Sequence, residues 1–252
     1  MSQVFCNLLR SGKQIFGAWV SVPDPSVVEV MSQCGYDFLL FDGEHGPLPT
    51  QDLRFLLPIS ERLNTPVMYR PGSHSVADIK AALDVGVDAL LIPMVESVDQ
   101  ALAIVNAAKY PPVGRRGIGP WRASNYFEDF DTYLANANSR TSLVLQIESR
   151  AGVDAAKMIA AVEGVDALYI GPADLASNFG LPVGEMSAAM LALCKEVSGA
   201  AKAAGIPIGI DLASPESIPE LRELGFSFFT HGQDILLMMA AARETINVLR
   251  ST

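Results

Sequence analysis

Charged and polar side chains follow short apolar runs at several places along the chain. His45 follows Asp42 in the segment FDGEHGP, and Arg70 ends the run PVMYR. A histidine held by a carboxylate is suited to proton transfer near neutral pH. An arginine at the end of an apolar run is costly unless its charge meets a substrate anion or a structural acid. The full set of such residues is Ser21, Asp42, Glu44, His45, Arg70, Pro93, Gln146, Glu148, Asp174, Asp211, Thr230 and His231.

Glu148 and Asp174 are candidate metal ligands, because they follow two successive apolar runs. Two carboxylates a few ångströms apart disfavour each other unless a cation lies between them. With oxygen ligands and no cysteine or second histidine nearby, the expected cation is Mg²⁺ or Mn²⁺, with Co²⁺ as a further candidate. The alternative is that both acids cap helices or pair with neighbours such as Arg150. In the same way, His45 on its position alone is compatible with an ordinary surface histidine.

The elements that position these residues are short apolar runs alternating with longer amphipathic stretches. This alternation is typical of a parallel sheet covered on both faces. Eight such units in 252 residues predict a single-domain (β/α)8 barrel of the TIM type, whose active site lies at the carboxyl ends of the strands. An open doubly wound sheet is the alternative, but no Gly-x-Gly-x-x-Gly follows any run. The predicted strands are 16–20, 38–41, 66–70, 89–92, 143–147, 167–170, 207–210 and 226–230, and the predicted helices are 26–34, 50–62, 75–85, 97–109, 152–162, 186–204, 214–224 and 234–250.

One segment interrupts the alternation within the predicted domain 1–252. Residues 110–140 read YPPVGRRGIGPWRASNYFEDFDTYLANANSR, which is too long for a plain connection between elements. The segment is also too aromatic and basic for a linker. We therefore expect an extended functional or interface loop that carries a short helix.

Composition excludes several classes of partner. The chain has 18 basic and 28 acidic residues, a net charge of −10, so nucleic acid is not an expected partner. No apolar run approaches the roughly 18 residues needed to span a bilayer. The first residues show no signal-peptide core, and the three cysteines form no close-spaced pair. We expect a cytoplasmic protein that does not bind membranes.

The positions of the lysines argue against catalysis through a Schiff base. A Schiff-base mechanism needs a lysine inside the barrel, and all lysines fall in the N-terminal segment or in predicted helices. The seventh and eighth strand ends, IDLAS and THGQD, also lack the glycine-rich turn that grips phosphate in many barrels. Phosphorylated substrates are therefore not expected. The lysines are Lys13, Lys80, Lys109, Lys157, Lys195 and Lys202.

Six segments in order resemble one enzyme family. They are GYDFLLFDGEHGP, PVMYRPG, ALDVGVDALLIPMVES, YPPVGRRGIGP, LQIES and ALYIGPADLA, and together they lie between about residues 16 and 212. The chain is similar in these segments to the metal-dependent (class II) pyruvate aldolases of the HpcH/HpaI group. That group includes 4-hydroxy-2-oxoheptanedioate aldolase and 2-dehydro-3-deoxyglucarate aldolase.

The resemblance implies a role for each matching acidic or basic residue. It implies that His45 is the general base and that Arg70 stabilises the enolate. It implies that Glu148 and Asp174 bind a divalent cation, which acts as a Lewis acid on the 2-oxo acid. Asp84 matches the position that raises the basicity of the histidine, and a second candidate for that role is Asp42.

The resemblance also implies the residues that hold the 2-oxo acid. Gln146 and the backbone amides of Ala173 and Asp174 are expected to contact it. The predicted substrate site further includes Trp19, Gly171 and Pro172. The implied reaction cleaves or forms 4-hydroxy-2-oxo acids through an enolate, giving pyruvate or a related 2-oxo acid and an aldehyde. The family is hexameric, so the resemblance implies a homo-oligomer.

Two alternative functions stay open at this point. One is acyl-CoA lyase chemistry of the citryl- or malyl-CoA type, for which Arg115, Arg116 and Arg122 offer the basic surface that CoA would need. The other is a barrel that binds 2-oxo acids without turnover. The segment GPWRASNYFEDF departs from the pattern of the sugar-acid aldolases, and so do His74 and His231. These differences leave the aldehyde undetermined, and each of these two histidines is either structural or in contact with the acceptor or a neighbouring subunit.

Overall fold

The computed structural model describes residues 5–251, and eight parallel strands in it form a closed barrel. Each strand pairs with the next along the chain, and β8 closes on β1. This confirms the predicted (β/α)8 barrel. The strands are β1 Ile15–Val20, β2 Phe38–Asp42, β3 Val67–Arg70, β4 Ala89–Ile92, β5 Ser142–Ile147, β6 Ala167–Ile170, β7 Ile208–Asp211 and β8 Phe228–Gln233.

Helices follow the strands on the outside of the barrel. Serine N-caps begin several of them: Ser75 accepts a hydrogen bond from the Asp78 amide, and Ser149 accepts one from the Gly152 amide. Gly86, at φ 104°, ends one helix in the left-handed conformation that disfavours other residues. The helices are α1 Phe5–Arg10, α2 Pro25–Gln33, α3 Leu53–Arg62, α4 Val76–Val85, α5 Val98–Ala108, α6 Phe130–Arg140, α7 Arg150–Ala160, α8 Pro172–Phe179, α9 Ala188–Ala204, α10 Ile218–Glu223 and α11 Asp234–Ser251.

Two differences between the predicted and the observed elements have clear physical reasons. β8 extends to Gln233, three residues beyond its predicted end, because Gln233 pairs with Trp19 beyond an irregularity in β1. Helix α1 has no counterpart in the prediction, since its six residues carry no capping signal. It closes the amino end of the barrel: the Phe5 ring lies 5.0 Å from that of Phe38 and 6.2 Å from that of Phe228.

Three aspartates at the amino end of the barrel fix neighbouring strands to each other. Each stands just before an even-numbered strand and accepts a backbone N–H bond from the preceding odd-numbered strand. Asp88 accepts from Val67 at 3.0 Å, and Asp166 accepts from Leu143 at 2.8 Å. Asp37 accepts in the same way from Phe16. Since a buried amide without a partner is costly, these carboxylates stabilise the strand register.

The segment between α5 and α6 packs across α3 and α4. Arg116 is buried and bonds Asp84 of α4 at 2.5 Å. Arg122 donates to the carboxylate of Glu61 and to the Val85 carbonyl. The segment contains a short 3₁₀ turn, Arg122–Ser124, and leads into α6, which ends at Arg140.

The first residue of helix α11 connects the helix to the barrel through hydrogen bonds. The buried carboxylate of Asp234 accepts hydrogen bonds from the Ser21 amide and hydroxyl and from the Val22 amide. Five consecutive apolar residues follow, and every one is at least 40% exposed: Ile235, Leu236, Leu237, Met238 and Met239. The helix thus leaves an apolar surface uncovered. Within residues 5–251, no helix combines the length and the hydropathy that crossing a membrane requires.

Candidate active site

A cavity of about 590 Å³ opens at the carboxyl ends of the strands. All of the residues predicted to form the site line it except Glu148 and Asp84. Its wall continues along the ends of β7 and β8 to the start of α11, through Asp211, His231 and Leu237. The predicted residues in the wall are Trp19, Asp42, His45, Arg70, Gln146, Gly171, Pro172, Ala173 and Asp174.

Arg70 is held rigidly at the end of β3. It is 7% exposed, and its Nε and Nη2 atoms donate to the two oxygens of Asp42, each at 2.9 Å. Its Nη1 lies 3.1 Å from Oε2 of Glu44. Burial acts to raise the pKa of Asp42, but the hydrogen bonds and charge of Arg70 outweigh it and hold the pKa below its usual value. The result is a buried cation whose orientation is fixed by two carboxylates.

Glu148 is a buried carboxylate whose environment disfavours its negative charge. Its Oε1 accepts the Met94 amide at 2.8 Å, and its Oε2 accepts the side-chain amide of Gln146. Burial raises the pKa of Glu148 to about 7, and the negative charges of Glu44 and Asp174 add to the rise. A bound cation would relieve this crowding of like charges.

Gln146 supplies a buried polar atom to the site. Its side chain is 2% exposed, and its Oε1 is buried without a hydrogen-bond partner among the described residues. An orphaned buried acceptor is costly and calls for a ligand, a cation or a water. This free oxygen belongs to the same amide whose Nε2 donates to Glu148, so it lies close to the Glu148 carboxylate.

The loop between β6 and α8 brings backbone amides to the same place. Gly171 caps α8, and a Cβ at this position would collide with the Glu148 carboxylate and the Gln146 amide. Only glycine therefore lets the chain approach these two side chains. The amides of Ala173 and Asp174 lie in the first turn of α8, where unpaired N–H groups favour anions.

His45 stands at the open side of the cavity. Its imidazole is 66% exposed, and its Nε2 lies 3.8 Å from Oε2 of Glu44. The backbone N–H of His45 donates to Oδ1 of Asp42 at 3.3 Å. The carboxylate that approaches the imidazole is therefore that of Glu44. Asp42 holds the backbone of the loop.

Asp84 is not brought to His45 within the described chain. It is absent from the cavity wall, and its Oδ1 pairs with Arg116. Its predicted link to the histidine stays a prediction. His74 is exposed in the loop after β3 and is also absent from the cavity wall.

The wall contains a residue that the strand-end search missed. Tyr169 lies inside β6, opposite Gln146 of β5, and is fully buried. Its place could have been found from the strand alternation, because residues in register with Gln146 share its face. The wall also contains His231, whose Nδ1 bonds the Leu212 carbonyl at 2.7 Å.

The protein offers few ligands of its own for a metal ion. Within residues 5–251, no group of three or more His, Cys, Asp or Glu side chains is arranged to hold one. Two carboxylates, a free amide oxygen and a raised carboxyl pKa nevertheless suit a hard cation that completes its shell with substrate and water oxygens.

Several known proteins are similar to this chain over nearly its whole length, and they are named as aldolases or as members of an aldolase/citrate lyase family. A hydroxypyruvate/pyruvate aldolase of Roseovarius nubinhibens is 36% identical over 247 residues, 97% of this chain and 96% of its own. A 4-hydroxy-2-oxovalerate aldolase of Novosphingobium aromaticivorans is 38% identical over 233 residues, 91% of this chain and 88% of its own. The crystal structure of an HpcH/HpaI aldolase/citrate lyase family protein from Burkholderia cenocepacia superposes with a TM-score of 0.89 and 30% identity, covering 97% of both chains.

The family model for HpcH/HpaI aldolase/citrate lyase matches residues 15–241, from the first residue of β1 into α11. The predicted family is thus confirmed, and the prediction of an aldolase is confirmed at the level of the family and its named relatives. The chain belongs to the HpcH/HpaI aldolase/citrate lyase family.

Proposed function

We propose that the chain is a divalent-metal-dependent aldolase acting on 4-hydroxy-2-oxo acids, with pyruvate or a related 2-oxo acid and an aldehyde as the products of cleavage. The observation that carries this proposal is the buried hydrogen-bonded pair of Gln146 and Glu148, together with the fixed guanidinium of Arg70, which lines the same cavity as Gln146. A 2-oxo acid presents a ketone oxygen and a carboxylate oxygen, which a cation and a guanidinium can bind.

Glu148 and Asp174 would hold the cation, with Mg²⁺ or Mn²⁺ preferred and Co²⁺ as a further candidate. When bound, the cation supplies Lewis acidity toward the oxygens of the 2-oxo acid. Gln146 would orient the substrate, because Glu148 fixes its Nε2 and its Oε1 is free to contact a ligand.

Arg70 and the first turn of α8 supply positive charge for the reaction. Negative charge develops on the ketone oxygen when the carbon–carbon bond breaks. The guanidinium is already fixed by Asp42, so it needs no reorganisation at that moment. The amides of Ala173 and Asp174 would hold the carboxylate of the 2-oxo acid.

His45 would remove the proton from the aldol hydroxyl in cleavage, or from the pyruvate methyl in synthesis. Its exposed imidazole borders the cavity and can exchange protons with solvent. Asp84 would support this base from a neighbouring copy of the chain, since in its own copy it pairs with Arg116.

The proposal includes an assembly of several copies, with six as the family resemblance implies. The uncovered apolar residues of α11 support it, because exposed surfaces of this kind mark protein interfaces. A cytoplasmic location is also part of the proposal. Cys6, Cys34 and Cys194 are all free, which fits a reducing compartment.

The acyl-CoA alternative receives little support from the three arginines it would need. Arg116 is buried against Asp84, and Arg122 is engaged by Glu61 and the Val85 carbonyl. Arg115 alone is exposed. One exposed arginine is a poor landing surface for the phosphates of CoA.

The proposal is tested with enzyme stripped by a chelator and assayed with pyruvate and a panel of aldehydes. We expect condensation to be lost on stripping and restored by Mg²⁺ or Mn²⁺. Glu148→Gln should not be restored, whereas the exposed control Glu163→Gln should behave as wild type. Full activity in chelator would contradict the metal requirement. Binding of pyruvate without turnover of any aldehyde would favour the non-catalytic barrel.

A further inference from the structure

A second set of polar contacts lies on the opposite wall of the cavity, where β7 and β8 meet β1. Asp211 ends β7, and its Oδ1 accepts two hydrogen bonds. One comes from the indole Nε1 of Trp19 at 2.7 Å, and the other comes from Oγ1 of Thr230 at 2.6 Å. One carboxylate oxygen thus joins three strands at the cavity wall.

The chemistry of the partners fixes the direction of these hydrogen bonds. An indole N–H can only donate. Thr230 has one hydroxyl hydrogen, which it gives to Asp211, so its oxygen accepts from the hydroxyl of Tyr169. Both Thr230 and Tyr169 are fully buried. Asp211 is therefore the final acceptor of two sets of hydrogen bonds, one from Trp19 and one that runs from Tyr169 through Thr230.

Trp19 connects this set of contacts to Arg70. The Arg70 Cζ lies 4.4 Å from the centroid of the Trp19 ring, a cation–π contact. Asp42 holds the edge of the guanidinium, and the indole covers its face. Together they fix both the position and the plane of the cation.

Trp19 depends on Asp211 for its orientation. Its ring is only partly buried at the cavity wall. Asp211 is the one hydrogen-bond partner of Nε1 among residues 5–251. Without this acceptor the indole N–H would turn toward water in the cavity, and the ring would leave the face of Arg70.

We propose that Asp211 is a positioning residue for the aldol reaction: it holds the Trp19 indole against Arg70 and so fixes the plane of the guanidinium. This inference rests on the proposed function, in which Arg70 stabilises developing negative charge. Asp211 acts through Trp19, because its Oδ1 is already used by Trp19 and Thr230.

Kinetics test the catalytic part of this inference. Misplacing a group by about 1 Å can lower the rate about a hundredfold, so Asp211→Ala should lower kcat by about 10- to 100-fold. KM for pyruvate should change less than kcat, because Arg70 keeps its charge and its bonds to Asp42. Asp211→Asn should recover part of kcat, since its amide oxygen can still accept from the indole.

A double-mutant cycle separates positioning from a general structural role. Trp19→Phe keeps an aromatic ring and removes the donor. In that background Asp211→Ala should lower kcat by less than about twofold further, because residues that act through one contact are not additive. If the double variant loses kcat by the product of the two single fold-losses, the inference is overturned.

The two tryptophans of the chain allow the contact to be measured without any assay of activity. Trp121→Phe removes the exposed one and leaves Trp19 as the sole indole. In this background Asp211→Ala should weaken the near-UV circular dichroism of Trp19 and increase its quenching by acrylamide. Thr230→Val is the control. It removes the hydroxyl that donates to Asp211 but keeps the hydrogen bond from Trp19 to Asp211, so the Trp19 signal should not change. Far-UV circular dichroism identifies any variant that has not folded.

The outcomes distinguish this inference from the proposed function. An unchanged Trp19 signal and an unchanged kcat in folded Asp211→Ala would overturn the inference and leave the aldolase assignment intact. Wild-type protein without aldolase activity would overturn the proposed function and, with it, the catalytic role of Asp211. The Trp19 signal would still report separately whether Asp211 holds the indole.

Discussion

The two ends of the barrel both carry buried charged residues, but they use them differently. At the amino end, Asp166 accepts the Leu143 amide and the Lys109 ammonium, so its bonds lie entirely within the protein. At the carboxyl end, Gln146 has a buried oxygen with no hydrogen-bond partner among residues 5–251, and burial raises the pKa of Glu148 to about 7. The amino end thus stabilises the fold, whereas the carboxyl end keeps polar groups available for a ligand.

This difference has a physical consequence for mutations. Groups whose partners are all in the protein contribute to the free energy of unfolding, and removing one leaves the others unpaired. Groups that await a ligand cost free energy in the folded protein, so replacing them should cost activity and little stability. Substitutions of Glu148, Lys109, His45 and Asp88 test that division.

The largest effect is expected at the carboxyl end, for Glu148→Gln. Loss of a cation ligand should remove several kcal/mol of charge stabilisation, a fall in kcat of about 10³-fold or more. The free energy of unfolding should stay the same or rise, because a buried carboxyl with a raised pKa is replaced by a neutral amide. Steady-state kinetics and urea unfolding measure the two quantities. A kcat within tenfold of wild type would break the assignment.

Lys109→Met tests the amino end. Lys109 is 3% exposed, and its ammonium donates to the Asn138 and Thr141 carbonyls and to Asp166. Removing it leaves a carboxylate and two carbonyls unpaired, so unfolding should become easier by about 3–5 kcal/mol. Activity per folded molecule should not change. Urea unfolding measures the loss, with the exposed Lys157→Met as the control; equal stability of the two variants would contradict the account.

His45→Gln should lower kcat by about a hundredfold or more, the usual contribution of a general base. The imidazole is exposed, so the free energy of unfolding should stay within about 0.5 kcal/mol of wild type. A kinetic pH profile and thermal unfolding measure both effects. A variant that loses stability together with activity would show that His45 supports the fold.

Asp88 tests how far the amino end is stabilising. Burial raises its pKa to about 6, opposed by the hydrogen bond from the Val67 amide. The folded pKa exceeds the unfolded value of about 3.9, so ionisation of Asp88 lowers the free energy of unfolding. This penalty is absent below about pH 4 and fully present above about pH 6. Asp88→Asn keeps an acceptor for Val67 and does not titrate. Relative to wild type its unfolding free energy should rise by about 2 kcal/mol between pH 4 and 6.5; a difference independent of pH would exclude this role.

The fold and most of the cavity wall could be predicted because they depend on local patterns. Apolar runs of four to six residues mark the strands, and a barrel brings their carboxyl ends together. Contacts between distant residues could not be predicted in this way. The pairing of Asp84 with Arg116, the approach of Glu44 to Arg70 and the uncovered surface of α11 each depend on side-chain packing across separate elements.

The most direct test of the proposed chemistry is exchange of the pyruvate methyl protons for deuterium, followed by proton NMR. It measures enolate formation without knowledge of the aldehyde. The account predicts exchange by wild-type protein with Mn²⁺ or Mg²⁺, none after removal of the metal with EDTA, and none by His45→Ala with metal. Exchange that persists in EDTA or in His45→Ala, or no exchange in any sample, would contradict it.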